Sequence, residues 1–179
     1  MSKGVTLLRS IGKSGLIRNA LFVGGIFSAS EFTQETIIGV EKYDFVKIAR
    51  FGVFGLCCSG PFNYTWFRVL EFALPGYARK TVLKKLVADQ LFAAPLITAG
   101  FFVVMDFLER KEDVFAEAKK KTIPTWMAGL VFWPPAQFIN FMFVPLHYRV
   151  VYVGIVAYLW ANFLCYMRRK KDVNFLSIK

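Results

Sequence analysis

Glu31 and Glu35 stand one helical turn apart in an otherwise apolar stretch. Two carboxyls on one helix face could share acid and base work if their surroundings separated their protonation states. The same pair serves as a polar seam between packed helices, the commoner use in multi-span proteins without enzymatic activity. The two belong to a larger set. Glu31, Gln34, Glu35, Asn63, Arg68, Glu71, Asp89, Gln90, Asp106, Gln137, Asn140 and Asn162 all fall inside apolar stretches. An ionised group facing lipid at the bilayer centre costs on the order of 2.5–3.5 kcal/mol, so these side chains must converge. They can do so as internal ion pairs, Arg68 with Glu71 or Asp89 among them, or around a wet pore. Both outcomes carry one sequence signature, and the sequence leaves both open.

Other chemistry finds little support. There is no GxGxxG, no GxxxxGK[ST], no HExxH and no Cys/His ligand spacing. The single histidine, His147, excludes a multi-His metal site. It sits between Pro145 and Arg149 at an expected membrane boundary, with no serine marked as its partner, and reads as an interfacial side chain. Cys57, Cys58 and Cys165 lie in apolar stretches and read as small buried hydrophobes, not as a disulfide framework. The expectation is a non-enzyme with no cofactor and no metal.

The elements that carry these residues follow from composition. In 179 residues the hydrophobic fraction is 56% and only 20% are charged; mean hydropathy is +0.45. Disorder is excluded, and so much apolar surface cannot all be buried in so short a chain, so an integral membrane protein is implied. The net charge of +11 clusters at the ends of apolar runs. It therefore reads as topology and anionic-lipid contact, and no direct nucleic-acid partner is expected.

Residues 1–18 are basic, acid-free and weakly amphipathic, a transit-like segment or a cationic flank that orients the first span. Five apolar stretches follow within one membrane domain, 19–167: about 19–40, 48–74, 86–108, 125–144 and 150–167. Residues 168–179 form a basic tail. At about 20 apolar residues per span, three to five stretches qualify. The first is weakened by its glutamates and the fourth by its prolines. Gly24–Ser28 and Gly25–Ala29 are small-xxx-small pairs that admit a neighbouring helix. Pro61 and Pro95 predict kinks, and Pro134-Pro135 forbids a regular helix across the middle of the fourth stretch. Residues 109–121 carry both signs of charge and read as a solvated amphipathic helix. The expected fold is an all-α integral membrane protein, a compact bundle of four to five kinked helices. Four spans place both termini on one side; five separate them.

Several of these residues sit in longer motifs. The chain reads Gly60-Pro61-Phe62-Asn63-Tyr64-Thr65-Trp66-Phe67-Arg68, then Leu74-Pro75-Gly76, then Lys85, Asp89-Gln90 and Pro95. Near the C-terminus comes Trp133-Pro134-Pro135-Ala136-Gln137-Phe138-Ile139-Asn140-Phe141-Met142-Phe143-Val144-Pro145, with Arg149 and Trp160 beyond. The second block matches W-P-x-x-Q-x-x-N-F-x-x-V-P-x-x-x-R at every fixed position. In these stretches the chain resembles the Mpv-seventeen / peroxisomal membrane 22-kilodalton protein family, within it the Mpv-seventeen-like branch, over about residues 19–167. Ser30-Glu31 and Gln34 stand where the family commonly has a Gly-Asp pair and a Gln.

The resemblance implies a small multi-span helical protein, usually with four spans, of the mitochondrial inner membrane or, alternatively, the peroxisomal membrane. It implies a part in organelle homeostasis: reactive oxygen metabolism, mitochondrial DNA maintenance and channel-like pore formation. The basic N-terminus favours mitochondria, and Ser177-Ile178-Lys179 is not the peroxisomal S-K-L signal. Two functional expectations follow. One is a weakly selective channel tuned by Glu31, Glu35, Asp89 and Asp106 and opposed by Arg68. The other is a structural or assembly partner of a larger inner-membrane complex. Expected partners are the lipid bilayer and a homo-oligomer or larger membrane complex.

Overall fold

A computed structural model describes residues 13–76, 78–143 and 149–170. They form five long helices: α1 Lys13–Ile38, α2 Phe45–Ala73, α3 Arg79–Leu108, α4 Ala116–Phe143 and α5 Arg149–Arg169. No strand occurs among the described residues. Two of the five, α2 and α3, are long and apolar enough by themselves to cross a membrane. Within α1, the glutamates dilute the apolar run, and α4 opens on Glu117 and Lys119–Lys121.

Side-chain pairings fix the directions. Gly60 packs on Ala20 and Gly52 on Ser28, so α1 and α2 are antiparallel. The α2–α3 pair meets through Phe51 and Phe54 on Phe101 and through Trp66 on Asp89, again antiparallel. Gln90 meets Trp126 across α3 and α4, while Trp160 packs on Gly129 and Tyr152 bonds to Ala136 across α4 and α5. With Ser30 on Tyr158 and Gln34 on Asn162, α5 runs parallel to α1. The helices therefore alternate in direction, and α1 begins at the end of the bundle opposite to the one where α5 finishes. The described residues thus form the upper count of the expected four to five helices.

The close approach of α1 and α2 depends on missing side chains. A Cβ on Gly55 would lie 2.8 Å from the Gly24 Cα and the Val23 carbonyl oxygen, and one on Gly60 2.6 Å from the Ala20 Cα. Gly24 itself sits against the Gly52 carbonyl and Leu56. Of the two small-residue pairs, Gly24–Ser28 serves this contact, whereas Gly25 and Ala29 face outward. Beside it lies the core. Phe27, Phe51, Phe54, Phe101 and Phe102 interlock edge to face, with ring centroids 5.2 Å apart for Phe27–Phe54, Phe54–Phe101 and Phe101–Phe102. Met105, Ala161, Leu164 and Cys165 complete it. Leu21, Leu91, Phe92, Leu96 and Val131 point away from the bundle, as lipid-facing side chains do.

The prolines leave different marks on the helices. In α2 and α3 the adjustment is a single π turn, Gly55–Ser59 and Asp89–Ala93, placed just before Pro61 and Pro95. The Gly60 N–H bonds to the Gly55 carbonyl and the Ala94 N–H to that of Asp89, five residues back. A wider turn moves the carbonyl four residues before the proline out of the ring's way. In α4 the expectation fails outright: the helix runs unbroken through Pro124, Pro134 and Pro135. Proline's fixed φ is itself helical, so a helix can continue through it at the cost of lost hydrogen bonds. Packing from α5 holds this segment, with Trp160 on Phe132 and Trp133 and the Tyr152 hydroxyl donating to the Ala136 carbonyl at 3.0 Å.

The glycine contacts give a stability test. Gly60→Val forces backbone apart from Ala20 and should cost at least about 2 kcal/mol by the usual penalty of overpacking. Gly25→Val, where a Cβ meets nothing within 4 Å, should leave stability unchanged. Unfolding in detergent micelles, followed by circular dichroism, compares the two.

Candidate functional site

Buried ionic side chains gather at one end of the bundle, where α1, α3 and α5 finish and α2 and α4 begin. Glu31 is fully buried, and its Oε1 lies 3.1 Å from Lys47 Nζ and pairs with Arg169. Glu35, one turn on, lies 3.8 Å from the same Arg169. Its other oxygen accepts from the Asp44 N–H at 2.9 Å, tying the α1–α2 turn, and the Asp44 side chain in turn caps α2 at the Lys47 N–H. Gly39, at φ +72°, makes that turn.

The second half of the cluster is built on α3 and α4. Asp106 is fully buried, 2.6 Å from Arg168 Nη2 and 3.0 Å from Lys111 Nζ. Arg168 also reaches Glu109 at 2.7 Å and Glu117 at 3.8 Å. Lys121 is 1% exposed, pairs with Glu117 and donates to the Arg168 carbonyl at 2.9 Å. Arg168 and Arg169 are adjacent, so about 100° of helix rotation separates them and each serves one half. Both are cations in the last turn of α5, where the helix dipole favours them. Together these residues form a charged collar. The segment read from sequence as a solvated helix, 109–121, is in fact a short turn followed by the first residues of α4, with Lys121 in the collar.

The remaining polar residues lie elsewhere. Gln34 donates to Asn162 at 3.3 Å between α1 and α5. Asp89 accepts from the Trp66 indole at 2.9 Å and lies beside Gln90, whose carbonyl accepts from Trp126 at 2.7 Å. Asp89 and Asp106 are separated by about 25 Å of helix at 1.5 Å per residue. Asn63 donates to Ser59 at 3.4 Å, and Arg68 donates to the Tyr64 hydroxyl at 3.2 Å and lies over its ring. Glu71 pairs with Lys85. Gln137 is half-buried in α4, and the side chain of Asn140 lies outside the described residues, as do residues 1–12 and 171–179. The cysteines differ from expectation in part: Cys165 is buried beneath the collar, Cys58 is half-buried, and Cys57 faces outward.

The family model described as Mpv17 / PMP22 family matches residues 106–165, from the buried aspartate to the buried cysteine. An Mpv17-like protein of Xenopus laevis is 35% identical over 160 residues, 88% of this chain and 78% of that protein. The chain belongs to the Mpv17 / PMP22 family. The mitochondrial inner membrane protein Mpv17 of Caenorhabditis briggsae is 27% identical, over 90% of each chain. The peroxisomal membrane protein 2 of Bos taurus is 30% identical, over 69% of this chain and 64% of that one. This Mpv17 / PMP22 chain is accordingly a membrane protein of the mitochondrial inner membrane or the peroxisomal membrane. No solved structure matches it.

Sequence reasoning picked out Glu31, Glu35 and Asp106 but missed their partners Lys47, Lys111, Arg168 and Arg169, and the buried Lys121 beside them. The available signal was depth: in alternating helices the basic residues at the start of α2 and the end of α5 fall level with the glutamates of α1. Charge removal separates the collar from surface pairs. Asp106→Asn leaves the buried Arg168 short of a partner and should cost on the order of 3 kcal/mol. Glu71→Gln, at an exposed pair, should leave the unfolding midpoint unchanged. Denaturant titration in micelles reads both.

Proposed function

We propose that this Mpv17 / PMP22 family protein is a channel-like, weakly selective pore without catalytic activity, captured here closed. The observation that carries the reading is the inward turn of its polar residues and the way their burial changes along the bundle. Toward one end Asn63, Tyr64, Arg68, Asp89 and Gln137 are half-buried on helices α2, α3 and α4. Toward the other, Glu31, Asp106 and Lys121 are wholly buried and joined in ion pairs. A seam built only for packing would bury its polar groups to a similar depth along its whole length. A polar set that is half-buried toward one end and closed by ion pairs toward the other suits a path for small solutes. Work of this kind in an organelle membrane fits a role in homeostasis, including reactive oxygen metabolism and mitochondrial DNA maintenance.

A second reading, a structural partner within a larger membrane complex, draws on the outer surface. Leu21, Gly24, Gly25, Ser28, Gly52 and Leu56 line a groove of about 320 Å³ between α1 and α2, of a form that helices use to pack in membranes.

Purified protein in planar bilayers decides between them. Stepwise conductance is expected, and its absence across voltage and pH overturns the pore. Migration only within a larger assembly after gentle detergent extraction, without conductance, favours the second reading.

A further inference from the structure

We propose that Arg168 and Arg169 form a two-armed latch that clamps the α1–α2 hairpin to the α3–α4 hairpin, and that its release opens the bundle at this end. As the gate of a pore, the latch rests on the reading above; as a conformational device it does not.

The geometry is that of a bridge. On one side, Arg169 holds Glu31 and Glu35 of α1, with Lys47 of α2 as the second cation on Glu31. On the other, Arg168 holds Asp106 and Glu109 at the end of α3 and Glu117 at the start of α4. Each hairpin is coherent without α5. Gly24, Gly55 and Gly60 bring α1 and α2 into backbone contact, and Lys111 joins Asp106 to Glu117 across the α3–α4 turn at 3.0 and 3.6 Å. One turn of α5 thus supplies the ionic link between two units that hold themselves together.

The closed state is also incompletely satisfied. Glu31 Oε2, Asp106 Oδ2 and Arg169 Nε are buried without a hydrogen-bond partner. Asp106 Oδ1 has its cations near but no aligned hydrogen bond. Such atoms raise the free energy of the closed form, and water entering an opened end would satisfy them. Closed and open forms are therefore brought nearer in energy than a fully paired network would allow. Directly beneath lies Cys165, one turn before Arg169 and wholly buried. Its thiol reports whether the end has opened.

The test uses the full chain with Cys57 and Cys58 replaced by serine, so that Cys165 is the single thiol. It is reconstituted in liposomes and planar bilayers, and labelling by a membrane-impermeant methanethiosulfonate is timed beside conductance. Arg168→Gln and Arg169→Gln should each speed labelling at least tenfold and raise the open fraction. Lys119→Gln, at an exposed lysine 3.9 Å from Asp113, should change neither. Arg169→Lys keeps the charge but offers a single point of contact in place of the guanidinium fork, and should speed labelling by a few-fold only. It also guards against a glutamine variant that fails to fold, which circular dichroism would expose. Unchanged labelling in folded latch variants overturns the latch. Faster labelling with no conductance in any variant keeps the latch and overturns the pore. Conductance in the parent protein at full open fraction while Cys165 stays unlabelled overturns the latch as gate.

Discussion

Burying a carboxylate in a low-dielectric interior is tolerable only with a cation at hand, and this bundle buries three at the collar, Glu31 and Glu35 on α1 and Asp106 on α3. One turn of α5 supplies a cation to each, Arg169 to the glutamates and Arg168 to Asp106. That requirement orders much of the fold. It sets the height of α5 against α1, since Arg169 must reach Glu31. It brings the α3–α4 turn inward, since Asp106 needs both Lys111 and Arg168. It also makes Glu117 and Lys121 part of the interior, although both lie in a run that looks water-soluble by composition.

Below the collar the constraints change from charge to shape. The aromatic cluster around Phe101 can form only if α2 and α3 pass close to α1, and α2 passes close because Gly52, Gly55 and Gly60 carry no Cβ. The π turns belong to the same problem. Each stands immediately before a proline and carries a polar residue inward at the widened turn: Ser59 in one, Gln90 in the other. Proline, π turn and inward polar side chain thus occur as a unit in both helices, and Asp89 meets Trp66 across the gap between them.

The sequence was legible where a single stretch contains its own answer. Helix number and approximate extent follow from apolar runs and their punctuation, and Glu31 and Glu35 had to turn inward because lipid would not accept them. It was illegible where the answer depends on a partner far along the chain. Arg168 and Arg169 look like an ordinary cationic stop to a span, a role that any basic pair can fill, and only the register of α5 against α1 and α3 distinguishes them. Lys121 was hidden by its neighbours Lys119 and Lys120, which are exposed while it is not. Pro134 and Pro135 misled for a related reason: local rules price a lost hydrogen bond without knowing that Trp160 and Tyr152 will pack on that turn.

The net charge of +11 also acquires a shape. At the collar end acids and bases interleave, so cations there are largely spent on neighbouring carboxylates. At the opposite end the described acids are Glu71 and Asp89 alone, facing Arg18, Arg68, Arg79, Lys80, Lys84 and Lys85. Glu71 is taken by Lys85, and Asp89 is held by an indole rather than by surplus charge. The excess is therefore polarised toward the end opposite the collar, where Arg79, Lys80 and Lys84 stand exposed. A charge distribution of this kind raises the local concentration of anions, lipid phosphates included, at that end over a Debye length of about 8 Å in physiological salt. The carboxylates expected to tune cation access thus do not gather at one place. Glu31, Glu35 and Asp106 are committed to the collar, and Asp89 lies toward the opposite end, held by the Trp66 indole.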